Sequence, residues 1–403
     1  MSKLYIVAYG CEPGLGSEAE VGWQTALGLK ACGVDNITVV TRKSNAKAIS
    51  AAPEAAQLDF VYLEHPFVKF KPHGGFSYLY YFFWQLTVWR YLRKNVQPDD
   101  IVHLLTFGNI LLPTFVDWLP CKLVLGPMGG GAVADSRLMT HPSLKRRLMF
   151  RFQCVVRRMF RFMPLARHLV RKAEVILVRT PETADMLPEF CKPKTLVLLE
   201  TGVAQCGDDL RPCDGKLRRI ITVSRLIDTK NVDQVIEIYT ELRKSFTELE
   251  ALDIVGDGPL MPSLKKHYGN VPGVFFCGKV PHDQVRELLL RSDLFLFASI
   301  KEGGSHALFE AAAVGVPIAC YNVSGMMVFP PEGGAIKVVP RKRDISGNIL
   351  NLSAAVKKDF NENTLRRMIS HSADELREKY VWNKKCMNYQ NLYSKLWNVK
   401  DEA

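Results

Sequence analysis

The run Phe297-Ala-Ser-Ile-Lys-Glu-Gly-Gly-Ser-His-Ala-Leu-Phe-Glu310, continued by Ala-Ala-Ala-Val-Gly-Val-Pro317, carries two glutamates with seven residues between them. Apolar residues up to about Ala298 read as a strand, the glycines as a turn, and the stretch from Ser305 as a helix. Ligands of open α/β sheets bind at the carboxyl ends of strands, where helix N-termini offer free N–H donors. Glu302 falls in that strand-to-helix turn. Glu310 follows roughly two helical turns later, so both carboxylates can face one elongated ligand. Gly303 and Gly304 permit a close backbone approach. The same residues also suit a plain surface turn and an amphipathic helix with two ordinary glutamates.

The first half of the chain offers weaker chemistry. Tyr9-Gly-Cys-Glu-Pro-Gly-Leu-Gly-Ser-Glu18 follows an apolar run and precedes a helical pattern. It imitates a dinucleotide-binding loop, with Ala19 in the third glycine place. The second strand, however, ends in Thr41-Arg-Lys43 instead of the acidic residue that would hold a ribose, so that reading is rejected. Leu125-Gly-Pro-Met-Gly-Gly-Gly131 is a second glycine-rich turn. His103, among apolar residues near a strand end, suits either a core position with one satisfied hydrogen bond or a catalytic place in a cleft. Asp135, just past the glycine turn, is a candidate base. There is no Asp-x-Asp and no His/Cys cluster with ligand spacing, so no metal and no cofactor is expected. The ten cysteines lack CxxC spacing and read as reduced packing residues.

Taken with the neighbouring segments, the sequence resembles the retaining glycosyltransferases of the large family 4 group, which have the two-domain GT-B fold. Glu302 and Glu310 look like that group's E-x7-E signature. Ile221-Thr-Val-Ser-Arg-Leu-Ile-Asp-Thr-Lys230 resembles the strand, Arg and Lys that open its second domain. Leu252-Asp-Ile-Val-Gly-Asp-Gly-Pro259 resembles its "GDGP" loop, and Phe276-Cys-Gly-Lys-Val280 its "F-x-G" step. These motifs span Ile220 to Pro317 in the order and spacing of the group.

The resemblance implies roles position by position. Arg225 and Lys230 would neutralise the diphosphate of a nucleotide-sugar donor, UDP by default, in place of a metal. Glu302 would hydrogen-bond the donor sugar's hydroxyls and Glu310 those of the ribose. The amides of Gly303, Gly304 and Ser305 would sit by the leaving phosphate. Gly14, Gly16 and Ser17 would line the cleft beside the phosphates, and Gly129, Gly130 and Gly131 would face the acceptor. Configuration would be retained by same-face attack assisted by the leaving phosphate. Ser305 stands where the group often has Gly, and Gly304 where an apolar residue is common, which bears on the donor sugar. The implied acceptor is a glycan or a lipid-linked glycan in cell-surface polysaccharide, lipopolysaccharide or glycolipid synthesis.

The elements that would position these residues are legible as alternation. Leu4–Tyr9, Ile37–Thr41, Leu58–Leu63, Ile101–Leu105, Leu123–Leu125 and Val175–Val178 read as buried strands separated by helical stretches. After the polar stretch Gln205–Lys216 the alternation restarts with Ile220–Val223 and runs to Ile318–Ala319. The expected fold is α/β, of GT-B architecture: two doubly wound Rossmann-like domains with an interdomain cleft. The expected domains are 1–204 and 205–379, with a final helix in 380–403 packing back on the first. A chain of 403 residues, with 47% hydrophobic and 23% charged, supports two such cores and excludes disorder, collagen and coiled coil. The opening MSKLYIVAYG has no signal-peptide features, so a cytoplasmic location is expected.

The net charge of +12 is concentrated. Between Ser136 and Ala173 there is no acidic residue, while Arg137, Lys145, Arg146, Arg147, Arg151, Arg157, Arg158, Arg161, Arg167, Arg171 and Lys172 are basic. A helix over Lys145–Met163 places Leu148, Phe152, Val155 and Met159 on one side and the arginines on the other. This pattern predicts a peripheral element on an anionic membrane at the inner face, touched by Arg146, Arg147, Arg151, Phe152, Arg157, Arg158 and Arg161. A core-packed helix with a solvated basic face has the same pattern. Phe76–Tyr91 holds nine aromatics but is too short and polar for a spanning helix, which leaves an interfacial or a buried one. Two further readings are a sugar-nucleotide epimerase of similar fold and a non-enzymatic basic protein on a membrane or nucleic acid. The first lacks a recognisable acid/base set, and nucleic acid is disfavoured because aromatics and arginines do not interleave.

Overall fold

The computed structural model describes residues 2–14, 17–67, 76–207 and 210–398. The strands are β1 (Leu4–Ala8), β2 (Ile37–Arg42), β3 (Asp59–Leu63), β4 (Ile101–Thr106), β5 (Lys122–Met128), β6 (Val175–Val178), β7 (Thr195–Val197), β8 (Arg219–Val223), β9 (Ala251–Val255), β10 (Val274–Gly278), β11 (Leu294–Phe297), β12 (Ile318–Tyr321) and β13 (Ile336–Val338). The helices are α1 (Ser17–Ala31), α2 (Ala46–Ser50), α3 (Phe76–Asn95), α4 (Leu144–Phe160), α5 (Pro164–Lys172), α6 (Pro181–Asp185), α7 (Val232–Arg243), α8 (Met261–Tyr268), α9 (His282–Leu290), α10 (His306–Ala313), α11 (Ile345–Asp359), α12 (Glu362–Glu375) and α13 (Trp382–Asn398).

Two parallel sheets result, ordered β3-β2-β1-β4-β5-β6-β7 and β10-β9-β8-β11-β12-β13. β1, β4 and β11 are buried at every residue, as strands covered on both faces must be. In each sheet the chain winds outward from its first strand and then returns to the other side. The reversal lies between β1 and β4 in one sheet and between β8 and β11 in the other. Two doubly wound α/β sheets of this kind make the GT-B fold.

The described residues up to Gly131, Val156–Gly202 and those from Trp382 form one compact unit; Ala132–Val155 and Val203–Val381 form the other. Residues 132–155 therefore pack with the second sheet, although sequence order assigns them to the first. The cause is tertiary. Ala134, Leu138 and Met139 join the second unit's core, and the Leu138 carbonyl accepts from Asn231 Nδ2 and Gln234 Nε2, each at 3.0 Å.

In the first unit α3 buries Tyr80, Tyr81, Trp84, Val88 and Leu92 against the sheet, so the aromatic stretch is a core helix. Burying each of those rings contributes about 2 kcal/mol. Among the described residues no helix is long and apolar enough to cross a membrane. The helical pattern of Leu376–Asn398 is interrupted by a wide turn at Leu376–Tyr380 and an extended Val381. The extension lets Val203 N reach Tyr380 O at 2.9 Å. From there α13 packs on α1. Its fully buried Lys385 Nζ donates to the carbonyls of Leu199 (2.7 Å), Glu200 (2.5 Å) and Thr201 (2.9 Å).

The single helix expected over Lys145–Met163 ends at Phe160, where a turn leads to Pro164 at the first position of α5. Its apolar side faces solvent. Leu144, Leu148, Phe152, Val155 and Met159 are all more than half exposed, and Phe152 reaches 68%.

Candidate functional site

The second sheet's reversal point brings together the turn after β8 and the turn after β11. Ile300 N and Ser299 Oγ both donate to Thr229 O, at 2.9 and 3.2 Å. This stitching presents Lys230 to Glu302. Lys230 Nζ is ion-paired with Glu302 Oε1, which also accepts from Ser299 Oγ at 3.1 Å. The two side chains are only 13% and 12% exposed, so the contact lies in a low-dielectric setting where neither charge tolerates loss of the other.

The Glu302 backbone is fixed by the turn that follows β12. Ser324 Oγ donates to Glu302 O at 2.7 Å, Glu302 N donates to Ser324 Oγ at 3.2 Å, and Gly325 N donates to Glu302 O at 3.1 Å. Only glycine fits at 325, because a Cβ there would lie 2.2 Å from Gly303 O. Gly256, at φ +126°, is under the same constraint, since its Cβ would lie 1.9 Å from Ser224 O. The Gly256–Pro259 loop thereby packs against the turn that carries Arg225. Arg225 is exposed there.

Helix α10 starts at His306, with Ser305 as its N-cap residue and Gly303 and Gly304 just before. Leu308 N and Phe309 N donate to Ser305 O, at 3.1 and 3.3 Å. Glu310 on this helix lies 2.8 Å, Oε1 to Nε2, from His282 at the start of α9. Lys230, Glu302, the Gly303–Ser305 turn, Arg225 and Glu310 thus belong to one end of one sheet. Sequence reasoning missed His282, Ser299, Ser324 and Gly325; the only available signal was their place after predicted strands.

The first unit's loops divide differently. Gly14 is exposed and its N–H donates to Glu20 Oε2 at 2.9 Å, while Gly16 and the Ser17 side chain lie outside the described residues. Of the glycine turn, Gly129 N donates to Gly108 O at 2.6 Å and Gly131 N to Thr183 Oγ1 at 3.2 Å, so two of its three amides are spent internally. Beside it stands a charge cluster that the sequence reading did not single out. Glu18 Oε1 accepts from Phe107 N (2.6 Å) and from Arg179 Nη2 (3.0 Å). Arg179 Nε donates to Pro127 O at 2.9 Å and pairs with Glu200. Burial pushes the Glu200 carboxyl up, and Arg179 opposes that shift.

His103 and Asp135 are corrections. His103 is fully buried in β4, with Nδ1 2.6 Å from Tyr393 Oη and Nε2 2.5 Å from Gly126 O. Burial pushes its pKa down to about 4, and both nitrogens are occupied, so it serves the core and not a cleft. Asp135 belongs to the second unit and is clasped by Arg137 through Nε (2.8 Å) and Nη2 (2.7 Å). Burial raises its pKa, but the Arg137 hydrogen bonds outweigh that and hold it below the ordinary value, which makes it a poor base.

The arginines assigned to a lipid surface are also redistributed. Arg146 pairs with Asp228 at 3.0 Å, Arg157 Nη2 donates to Glu182 O at 3.2 Å, and Arg161 Nη2 donates to Asp185 O at 3.0 Å. Arg147, Arg151 and Arg158 are exposed, and the first two line a pocket. The apolar side of α4 is left to solvent together with Arg147 and Arg151. Among the described residues no group of His, Cys, Asp or Glu forms a metal site.

Residues 212–352 match the family described as glycosyl transferases group 1. An uncharacterized glycosyltransferase of Methanocaldococcus jannaschii is 27% identical over 57% of this chain and 60% of its own. A phosphatidylinositol N-acetylglucosaminyltransferase subunit of Schizosaccharomyces pombe is 25% identical over 40% of this chain and 35% of its own. The chain therefore spans less than two thirds of either relative. The sucrose-phosphate synthase of Thermosynechococcus elongatus superposes over 99% of this chain and 100% of its own, with a TM-score of 0.66 at 14% identity. That likeness concerns the fold.

Proposed function

We propose that this protein is a metal-independent, retaining glycosyltransferase that moves a sugar from a nucleotide-diphosphate sugar, by default a UDP-sugar, to a glycan or lipid-linked acceptor. The observation that carries this reading is the buried Lys230–Glu302 pair at the reversal point of the second sheet, with Glu310 two helical turns further on.

A pre-formed ion pair suits a donor that brings both charge and hydroxyls. The entering diphosphate competes for Lys230 and recruits the exposed Arg225, which provides a guanidinium fork and a point charge without a metal. Release from Lys230 frees Glu302 to accept from sugar hydroxyls, while Glu310 accepts from the ribose. The amides at the start of α10 face the oxygen on which charge grows as the anomeric bond breaks. Attack from the same face, with the departing phosphate taking the acceptor's proton, retains configuration and requires no enzymic base. That agrees with His103 and Asp135 being committed elsewhere.

The acceptor side belongs to the first unit's carboxyl-edge turns, Gly14 and Gly129–Gly131. The relatives' names include a lipid substrate, phosphatidylinositol, which supports a lipid-linked acceptor in cell-surface glycan synthesis. The exposed stripe on α4 supports peripheral attachment at the inner membrane face, through apolar insertion more than through arginines.

Titration calorimetry with UDP, GDP and ADP in chelator, repeated for Glu310→Ala, tests the donor half. Selective binding of one diphosphate, weakened by the substitution, is expected. Anomeric proton couplings of the product test retention, and an inverted product would refute the mechanism. Flotation with anionic vesicles, lost in Phe152→Asp, tests attachment.

A further inference from the structure

The second unit contains a concavity of about 560 Å³ between the segment before and within α4 and the start of α11. Its wall includes Arg137, Arg147, Arg151 and Arg343 with Phe150 and Ile345. We propose that this pocket binds the phosphate or diphosphate group of a ligand, separately from the Lys230–Glu302 site.

Four guanidinium groups round one hollow, of which Arg147, Arg151 and Arg343 are solvent-exposed, give it a positive potential that favours an anion. The acidic groups at hand are already engaged. Asp135 is held at both oxygens by Arg137, and Asp344 caps α11 by accepting from Gly347 N at 3.0 Å. Arg147, Arg151 and Arg343 form no ion pair among the described residues, so three positive charges are uncompensated in the pocket. Arg147 and Arg151 stand four apart on α4 and so project from one face.

Arg343 adds a second observation. It sits at φ +67°, in the left-handed region that a side chain of its size avoids. Arg343 N donates to Arg137 O at 2.9 Å, and this bond holds the two residues on the same rim. Strained backbone of this kind persists where the surrounding structure enforces it, as at ligand-binding positions.

Planar forks in this number match a multivalent oxyanion of phosphate geometry better than a single carboxylate. Phe150 and Ile345 give the hollow an apolar wall. Leu148 and Phe152, each one residue beyond an arginine of the pocket, begin the exposed stripe of α4 about 100° round the helix. A phosphate ester with an apolar chain would fill both. The pocket lies in the second unit, is not formed by the turns assigned to the acceptor, and its phosphate chemistry does not depend on the transferase reading.

The test is calorimetric titration of pyrophosphate into the full chain, Lys230→Gln and the pair Arg147→Gln/Arg343→Gln, with melting curves confirming that each folds. The expected result is a saturable site that survives Lys230→Gln and weakens about tenfold or more in the arginine pair. No binding, or binding lost only in Lys230→Gln, would overturn the proposal. Loss in Lys230→Gln would then still support the donor site. Should the pair fold poorly, Arg151→Gln, at an exposed position of the pocket rim, is expected to weaken the same site several-fold. Flotation with phosphatidylcholine vesicles, with and without phosphatidic acid, identifies the source. An arginine-dependent gain from phosphatidic acid assigns a lipid phosphate; pyrophosphate binding without that gain assigns a soluble one.

Discussion

His282 Nε2 lies 2.8 Å from Glu310 Oε1, joining the start of α9 to the middle of α10 across the end of the second sheet. His282 is largely exposed and Glu310 largely buried, so the imidazole is the partner that can withdraw when a ligand arrives. Replacing Glu310 by alanine should therefore weaken diphosphate binding ten- to a hundredfold, about 1.5–3 kcal/mol for a hydrogen bond to a charged group. His282→Ala should change it by less than about threefold. Calorimetric titration checks both. Equal losses from the two substitutions would give His282 a direct role in binding.

The glutamates of this site were legible because their chemistry recurs within a short window. Their supports were not: Ser324 and Gly325 reach the Glu302 turn from the end of the neighbouring strand, and His282 reaches Glu310 from another helix. Alternating apolar runs gave the two parallel sheets directly, since a strand covered on both faces reads as an uninterrupted run. Periodicity showed that α4 has two faces, but it carries no information about which one meets the protein. Residues 132–155 join the second unit through Asn231 and Gln234 gripping Leu138 O, a contact that no local pattern announces.

Lys230→Met should destabilise the second unit by about 3 kcal/mol, because it leaves the Glu302 carboxylate buried without its cation. Adding Glu302→Leu should restore most of that stability, since the second charge leaves with the first. Neither variant should bind a nucleoside diphosphate at the Glu302–Glu310 site. Urea unfolding of the two singles and the double closes the cycle; additive losses would show that the pair contributes little coupling.

His103 makes folding depend on pH in mild acid. Its folded pKa of about 4 is below the ordinary value of 6.5, so the unfolded chain takes up the proton first as pH falls. The stability this group contributes is complete above about 6.5 and is lost progressively towards 4. The shift corresponds to about 3 kcal/mol. Denaturant midpoints measured between pH 7 and 4 should fall accordingly. His103→Gln should be less stable at neutral pH, with Tyr393 and Gly126 imperfectly matched, yet show a flatter slope across the same window. An unchanged slope would mean that other groups dominate it.

Gly325→Ala separates positioning from folding. Its new Cβ would sit 2.2 Å from Gly303 O, a backbone atom that can yield only by moving the turn. Relief requires a displacement of roughly 1 Å, delivered to the segment that carries Glu302 and leads into α10. Misplacement on that scale lowers turnover about a hundredfold when reacting groups must be aligned. The cores beneath the turn are untouched, so the melting temperature should fall by only a few degrees. Donor affinity should fall less than turnover, since Arg225 and Lys230 lie on the separate turn after β8. Steady-state kinetics with the matched donor, set beside a thermal melt, decide the matter. A variant that keeps full turnover would show that the Gly303 segment is free to adjust and that its contact with Gly325 does not set the geometry of the site.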